Sequence, residues 1–106
     1  MNGNLFADLA IPTADEQFQT LLTTRQLRIE RIVSHGHCSP DGFWYDQHQD
    51  EWVLVLQGQA RIGFADRETI NLQVGDYCLI PAHCRHRVEW TPSDSDTIWL
   101  AIHFDA

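Results

Sequence analysis

The segment from Pro81 to Trp90, PAHCRHRVEW, sets two histidines, a cysteine and two arginines between a proline and a tryptophan. Imidazole and thiolate are ligands for zinc and related metals. Imidazole also transfers protons near neutral pH, and a thiol can be oxidised. A regular strand from residue 84 would divide the group, with Cys84, His86 and Val88 on one face and Arg85, Arg87 and Glu89 on the other. The only literal His-x-His is His35-Gly36-His37, in a Gly/Ser/Pro stretch that reads as a loop. His48 falls in a turn and should face solvent. His103, in TIWLAIHF, shares a face with Trp99 and Ala101, and alternation leaves open whether that face is internal or external.

The elements that must position these groups have period two. Runs rich in β-branched and aromatic residues are LRIERIV (27–33), GFWYDQ (42–47), WVLVLQ (52–57), ARIGFA (60–65), TINL (69–72), DYCLIP (76–81), HRVEWT (86–91) and TIWLAIHF (97–104). Between them lie Ser39-Pro40-Asp41-Gly42, Gln57-Gly58, Val74-Gly75-Asp76 and Thr91-Pro92-Ser93-Asp94, each able to make a tight turn. Short strands at this spacing predict an all-β sandwich or barrel over 27–106. Residues 1–26 read as an N-terminal extension with a short helix. Thr13 and Glu16 have capping-box spacing, and Phe18, Leu21 and Leu22 recur at helical spacing.

Length and charge bound the function. A chain of 106 residues has room for one core. A net charge of −8, from 15 acidic and 7 basic residues, argues against nucleic acid or an anionic membrane surface as partner. No apolar run reaches the roughly 18 residues of a spanning helix, and MNGNLFADLA lacks the basic and apolar regions of a leader. Three cysteines, Cys38, Cys78 and Cys84, in no paired framework fit reduced thiols. The expectation is a soluble, cytoplasmic protein. Aromatics such as Trp44, Trp52, Trp90 and Trp99 should be shared among the core, a cavity and a dimer contact.

Two segments together resemble the cupin superfamily. Glu51, WVLVLQ and Gly58 match the end of its first motif, and Gly75, DYCLI, Pro81, Ala82, His83, Cys84, Arg85 and His86 match its second. The likeness is to short single-domain cupins that read WYDQ before DEWVLVL. It implies a double-stranded β-helix, a jelly roll whose motif residues point into a cavity, and a homodimer. Cupins that bind a metal carry His-x-His ahead of the glutamate; here Tyr45 and Gln47 stand there, while Glu51 and His86 are retained. The resemblance therefore implies two alternatives. One is a mixed N/O site for zinc, manganese, iron or nickel, built from His86, Glu51, the Gln47 amide oxygen and His83, with Asp46, His48 or His103 nearby. His83 replaces a usual glycine on a turn and ranks below His86. The other is a hydrogen-bonded cluster of Tyr45, Gln47, Glu51 and His86 with no metal. Under the first, the protein converts a small polar metabolite with Glu51 as base and Tyr45 as proton donor. Under the second, it is a small-ligand-binding or structural module.

Overall fold

The computed structural model describes residues 2–9 and 11–105. Their strands are Gln17–Thr23 (β1), Leu27–Ser34 (β2), Asp50–Gln57 (β3), Ala60–Phe64 (β4), Ile70–Leu72 (β5), Tyr77–Ile80 (β6), His86–Trp90 (β7) and Thr97–Phe104 (β8). Five make one sheet in the order β1-β2-β8-β3-β6, and three make a second in the order β5-β4-β7. Every pairing is antiparallel. The sheets enclose a core of Val53, Val55, Ala60, Ile62, Phe64, Leu72, Ile80, Cys84 and Trp99. Burying each large aliphatic side chain is worth about 1.5–3 kcal/mol, so closing the two sheets on each other is the main stabilising event. This is the expected all-β jelly roll.

Strand β3 shows how period two becomes a two-sided wall. Glu51, Val53 and Val55 are buried, whereas Trp52, Leu54 and Leu56 on the opposite face are only half-buried. The β3 to β4 connection turns on Gly58, which has φ +83°, a value that glycine adopts without strain. A Cβ there would sit 2.7 Å from the Asp96 carbonyl oxygen and 2.7 Å from Thr97 Oγ1, so this turn also lacks room for a side chain.

The expected N-terminal helix is not present among the described residues. Residues 17–23 form β1, paired along β2 with an irregularity between Thr20 and Leu22. The edge of β2 offers unpaired backbone groups, and a seven-residue helix is too short to hold itself in water, so edge pairing prevails over the weak helical spacing. The capping residues take other partners. Thr13 Oγ1 donates to the Asp15 carbonyl, and Glu16 accepts from the Ser34 hydroxyl. Residues 42–47 differ as well. They form no extended strand, and only Tyr45 bridges to β7, at His86, after a turn closed by Phe43 N–H on the Pro40 carbonyl at 3.1 Å. Among the described residues, no helix is long and apolar enough to cross a membrane.

Candidate functional site

Register brings the chemistry-bearing residues to one place. On the five-stranded sheet, Arg28 of β2 lies opposite His103 of β8, His103 opposite Glu51 of β3, and Glu51 opposite Ile80 of β6. All four line a cavity of about 200 Å³, with Glu30 and Ile32 further along β2. The three-stranded sheet contributes Ile62, His86 and Val88, while Tyr45 and Gln47 close one side and Glu16 and Phe18 another. About half of the lining side chains are aliphatic or aromatic and the rest are ionisable or polar groups that converge on the space, a composition suited to a polar small molecule.

Glu51 and His86 come from different sheets and meet at 3.4 Å, Oε1 to Nε2, both buried. His86 Nδ1 lies 2.9 Å from the Cys84 carbonyl, which can only accept, so Nδ1 carries a proton. Nε2 is thereby aimed at Glu51. Burial opposes charge on His86, but the Glu51 hydrogen bond, the Cys84 carbonyl and the carboxylate charge outweigh it and raise its pKa above the ordinary histidine value. The ring stacks on Tyr45 at 5.3 Å and 24°. Reciprocal backbone bonds, Tyr45 N–H to His86 O at 2.7 Å and His86 N–H to Tyr45 O at 3.1 Å, fix that stack. Burial, followed by the charges of Glu16, Glu51 and Glu30, raises the Tyr45 pKa, so its hydroxyl stays protonated.

A second pair lies beside the first. His103 Nε2 is 3.0 Å from Glu30 Oε1 and 3.9 Å from Glu51 Oε2. The His103 hydrogen bond is the main cause holding Glu30 below the usual carboxylate range; Arg28 and the His103 charge add to it against the effect of burial. Glu16 goes the other way. Burial raises its pKa despite its bond from Ser34 and the nearby His37. Ser34 in turn accepts from Trp99 Nε1–H at 3.1 Å, which ties the cavity wall to the start of β1.

Of the residues singled out in the sequence, Glu51, His86, Tyr45 and Gln47 share the cavity. Gln47 Nε2 donates to Glu51 Oε1 at 3.3 Å. His83 is a correction. Its backbone takes φ +62°, its side chain is 70% exposed, and its Nδ1 pairs at 2.8 Å with Asp46 outside the cavity. The glycine-like conformation required by the turn swings the ring outward. Its contribution is through the backbone, where His83 N–H donates to the Gln47 carbonyl at 2.7 Å. Cys84 is buried in the core rather than in the cavity wall. His35 pairs with Asp96, His37 with the Thr13 carbonyl, and His48 is exposed. The sequence reading missed Arg28, Glu30, Glu16 and Phe18. No residue pattern marked them: along β2 the charged Arg28 and Glu30 alternate with the apolar Leu27 and Ile29, which by itself turns the charged face toward solvent.

Among the described residues, no group of three or more His, Cys, Asp or Glu side chains is arranged to hold a metal ion. His86 Nε2 and Glu51 could be adjacent ligands, but His103 Nε2 is engaged by Glu30, and Gln47 turns its amide nitrogen toward Glu51. A third donor would require half a turn of the Gln47 amide. As folded, these side chains do not form a metal centre.

Two antiparallel sheets around a cavity, with a glutamate from one and a histidine from the other turned inward, define a jelly roll of the cupin class. A family model described as "Cupin domain" matches residues 32–103, and the chain belongs to that family. A crystal structure from Ralstonia eutropha JMP134, described as a "putative mannose-6-phosphate isomerase", is similar at TM-score 0.95 and 51% identity, covering 100% of this chain and 99% of that one. A cupin superfamily protein from Desulfitobacterium hafniense DCB-2 has TM-score 0.75 and 21% identity over 92% of this chain and 84% of its own. A conserved protein of unknown function from Streptococcus pyogenes has TM-score 0.77 and 20% identity over 100% and 88%. The latter two bear on the fold alone. No curated protein matches the sequence.

Proposed function

We propose that the cavity binds a small hydroxylated metabolite of sugar type and moves a proton on it, with Glu51 as base and Tyr45 as donor. The observation that carries this reading is the buried Glu51 and His86 contact at 3.4 Å in a cavity whose other polar lining includes Tyr45, Gln47, Glu30 and His103. The pair keeps a carboxylate able to accept a proton beside an imidazole that balances its charge. In an aldose to ketose interconversion, Glu51 takes the proton from the carbon beside the carbonyl while the Tyr45 hydroxyl protonates the carbonyl oxygen, leaving an enediol. Protonated Glu51 returns its proton to the neighbouring carbon, and Tyr45 recovers one from the other hydroxyl. His86 holds Glu51 in place and balances its charge. The 51% identical Ralstonia protein supports sugar chemistry as the class to test first. The size of the cavity, about 200 Å³, suits a compact metabolite.

The test is isothermal titration with a panel of hexoses, pentoses and their phosphates, using the wild type and Glu51→Gln. Binding by at least one member, with conversion lost in Glu51→Gln, is expected; a panel that neither binds nor reacts contradicts the reading.

A metal-dependent version is favoured by one observation, the Cys84 carbonyl that fixes His86 Nε2 toward Glu51, as carbonyls commonly orient metal-bound histidines. His86, Glu51 and a rotated Gln47 would be the holders. Elemental analysis of protein purified without a histidine tag, beside His86→Ala, decides it. Near-stoichiometric metal lost in the variant would establish this version.

A further inference from the structure

Arg28 is the only arginine or lysine lining the cavity among the described residues. It stands on the inner face of β2, opposite His103, with its side chain 44% exposed. A guanidinium carries five N–H donors. Among the described residues, the one anionic contact to Arg28 runs from Nε to Glu30 Oε2 at 3.6 Å, too long for a hydrogen bond. Arg28 Nε is buried and has no hydrogen-bond partner among the described residues. Glu30 cannot easily do more, because its other oxygen, Oε1, lies 3.0 Å from His103 Nε2. A buried donor left without a partner costs free energy, and a charged group costs more. The side chain as a whole is 44% exposed, so the remaining guanidinium donors are open to an acceptor that arrives with a ligand.

The surrounding carboxylates do not cancel this opportunity. Glu30 is already committed to His103, Glu51 to His86, and Glu16 is pushed toward its neutral form by burial. His103 Nδ1 also lacks a partner, but the guanidinium is the cavity's permanently charged group with donors to spare, in a form that matches a phosphate or carboxylate edge.

We propose that Arg28 is an oxyanion-binding residue of the cavity, so that the metabolite is acidic, carrying a phosphate or carboxylate group that Arg28 holds while Glu51 faces its reacting end. This rests on the sugar-type reading above and narrows its substrate class. Arg28 determines specificity and does not touch the reacting carbons.

The test compares D-glucose, D-glucose 6-phosphate, D-glucuronate and inorganic phosphate by isothermal titration and thermal shift. The proteins are the wild type, Arg28→Gln, Arg28→Lys and Glu51→Gln, each checked for folding by circular dichroism. A charge-assisted hydrogen bond predicts about tenfold or greater preference for an acidic ligand over glucose. The glucose 6-phosphate and glucuronate arms identify which oxyanion is preferred. The preference should be retained in Glu51→Gln, reduced in Arg28→Lys and lost in Arg28→Gln. Equal binding of glucose and both acidic sugars, or a preference unchanged in Arg28→Gln, overturns the inference while leaving Glu51-dependent conversion of a neutral sugar intact. Conversely, inorganic phosphate bound through Arg28 with no sugar converted would sustain the oxyanion site and sink the catalytic reading. If Arg28→Gln fails to fold, Arg28→Met decides the matter, since a preference retained without any cation at this position would overturn the inference.

Discussion

Glu51 of β3 and His86 of β7 belong to different sheets, yet their side chains meet at 3.4 Å inside the cavity. The contact links the two layers of the jelly roll at the point where chemistry is proposed, so its protonation should register in stability as well as in activity.

The pH dependence follows from the raised His86 pKa. A histidine that binds its proton more tightly when folded contributes stability that is fully present below the unfolded value of about 6.5, and loses it as pH rises through the folded value. Glu51, Glu30, His103, Tyr45 and Glu16 surround it, and raised Glu16 acts in the same direction from lower pH. Thermal melting should therefore fall as pH rises above about 6.5, with a smaller drop in Glu51→Gln. A melting temperature that rises over this range, or an unchanged slope in the variant, would refute the assignment.

Substitution at two turn glycines separates strain from crowding. Gly58 and Gly75 both have positive φ, +83° and +88°, but a Cβ at Gly58 meets the Asp96 carbonyl oxygen at 2.7 Å while one at Gly75 meets nothing within 4 Å. Gly75→Ala should cost about 1–2 kcal/mol from the backbone alone. Gly58→Ala should cost clearly more in urea denaturation; equal losses would mean that the turn relaxes.

Ser34, with no exposed surface, accepts from Trp99 and donates to Glu16. Ser34→Ala should cost about 1–3 kcal/mol, because it orphans the buried indole N–H. It should also loosen the start of β1, which hydrogen exchange at residues 17–20 would report. Protection unchanged there would show that β1 is held by its pairing with β2 alone.

Tyr45→Phe keeps the aromatic stack on His86 and removes only the proposed donor. We expect normal folding and substrate affinity with turnover lower by about a hundredfold. A variant with full turnover would remove Tyr45 from the mechanism and leave it a packing residue.

The jelly roll was legible in the sequence because turn glycines and period-two runs repeat along residues 27–104, and because Glu51 and His86 each sit in a spaced motif. Three features were not legible, each for a physical reason. Phe18, Leu21 and Leu22 satisfy helical spacing, but the partner that makes them a strand, the open edge of β2, exists only in three dimensions. Arg28 and Glu30 look like solvent-facing residues until the register places them beside His103. His83 stands at the motif's usual glycine position on a turn, which hinted at the positive φ but not at the ring's pairing with Asp46 outside the cavity.

The most direct measurement of the central claim is solvent deuterium entry into a sugar phosphate, followed by NMR in D2O, with wild type and Glu51→Gln side by side. The account predicts label at the carbon next to the carbonyl with the wild-type protein and at least about a hundredfold less with the variant. Absence of exchange with the wild type, or equal exchange with both proteins, would contradict it.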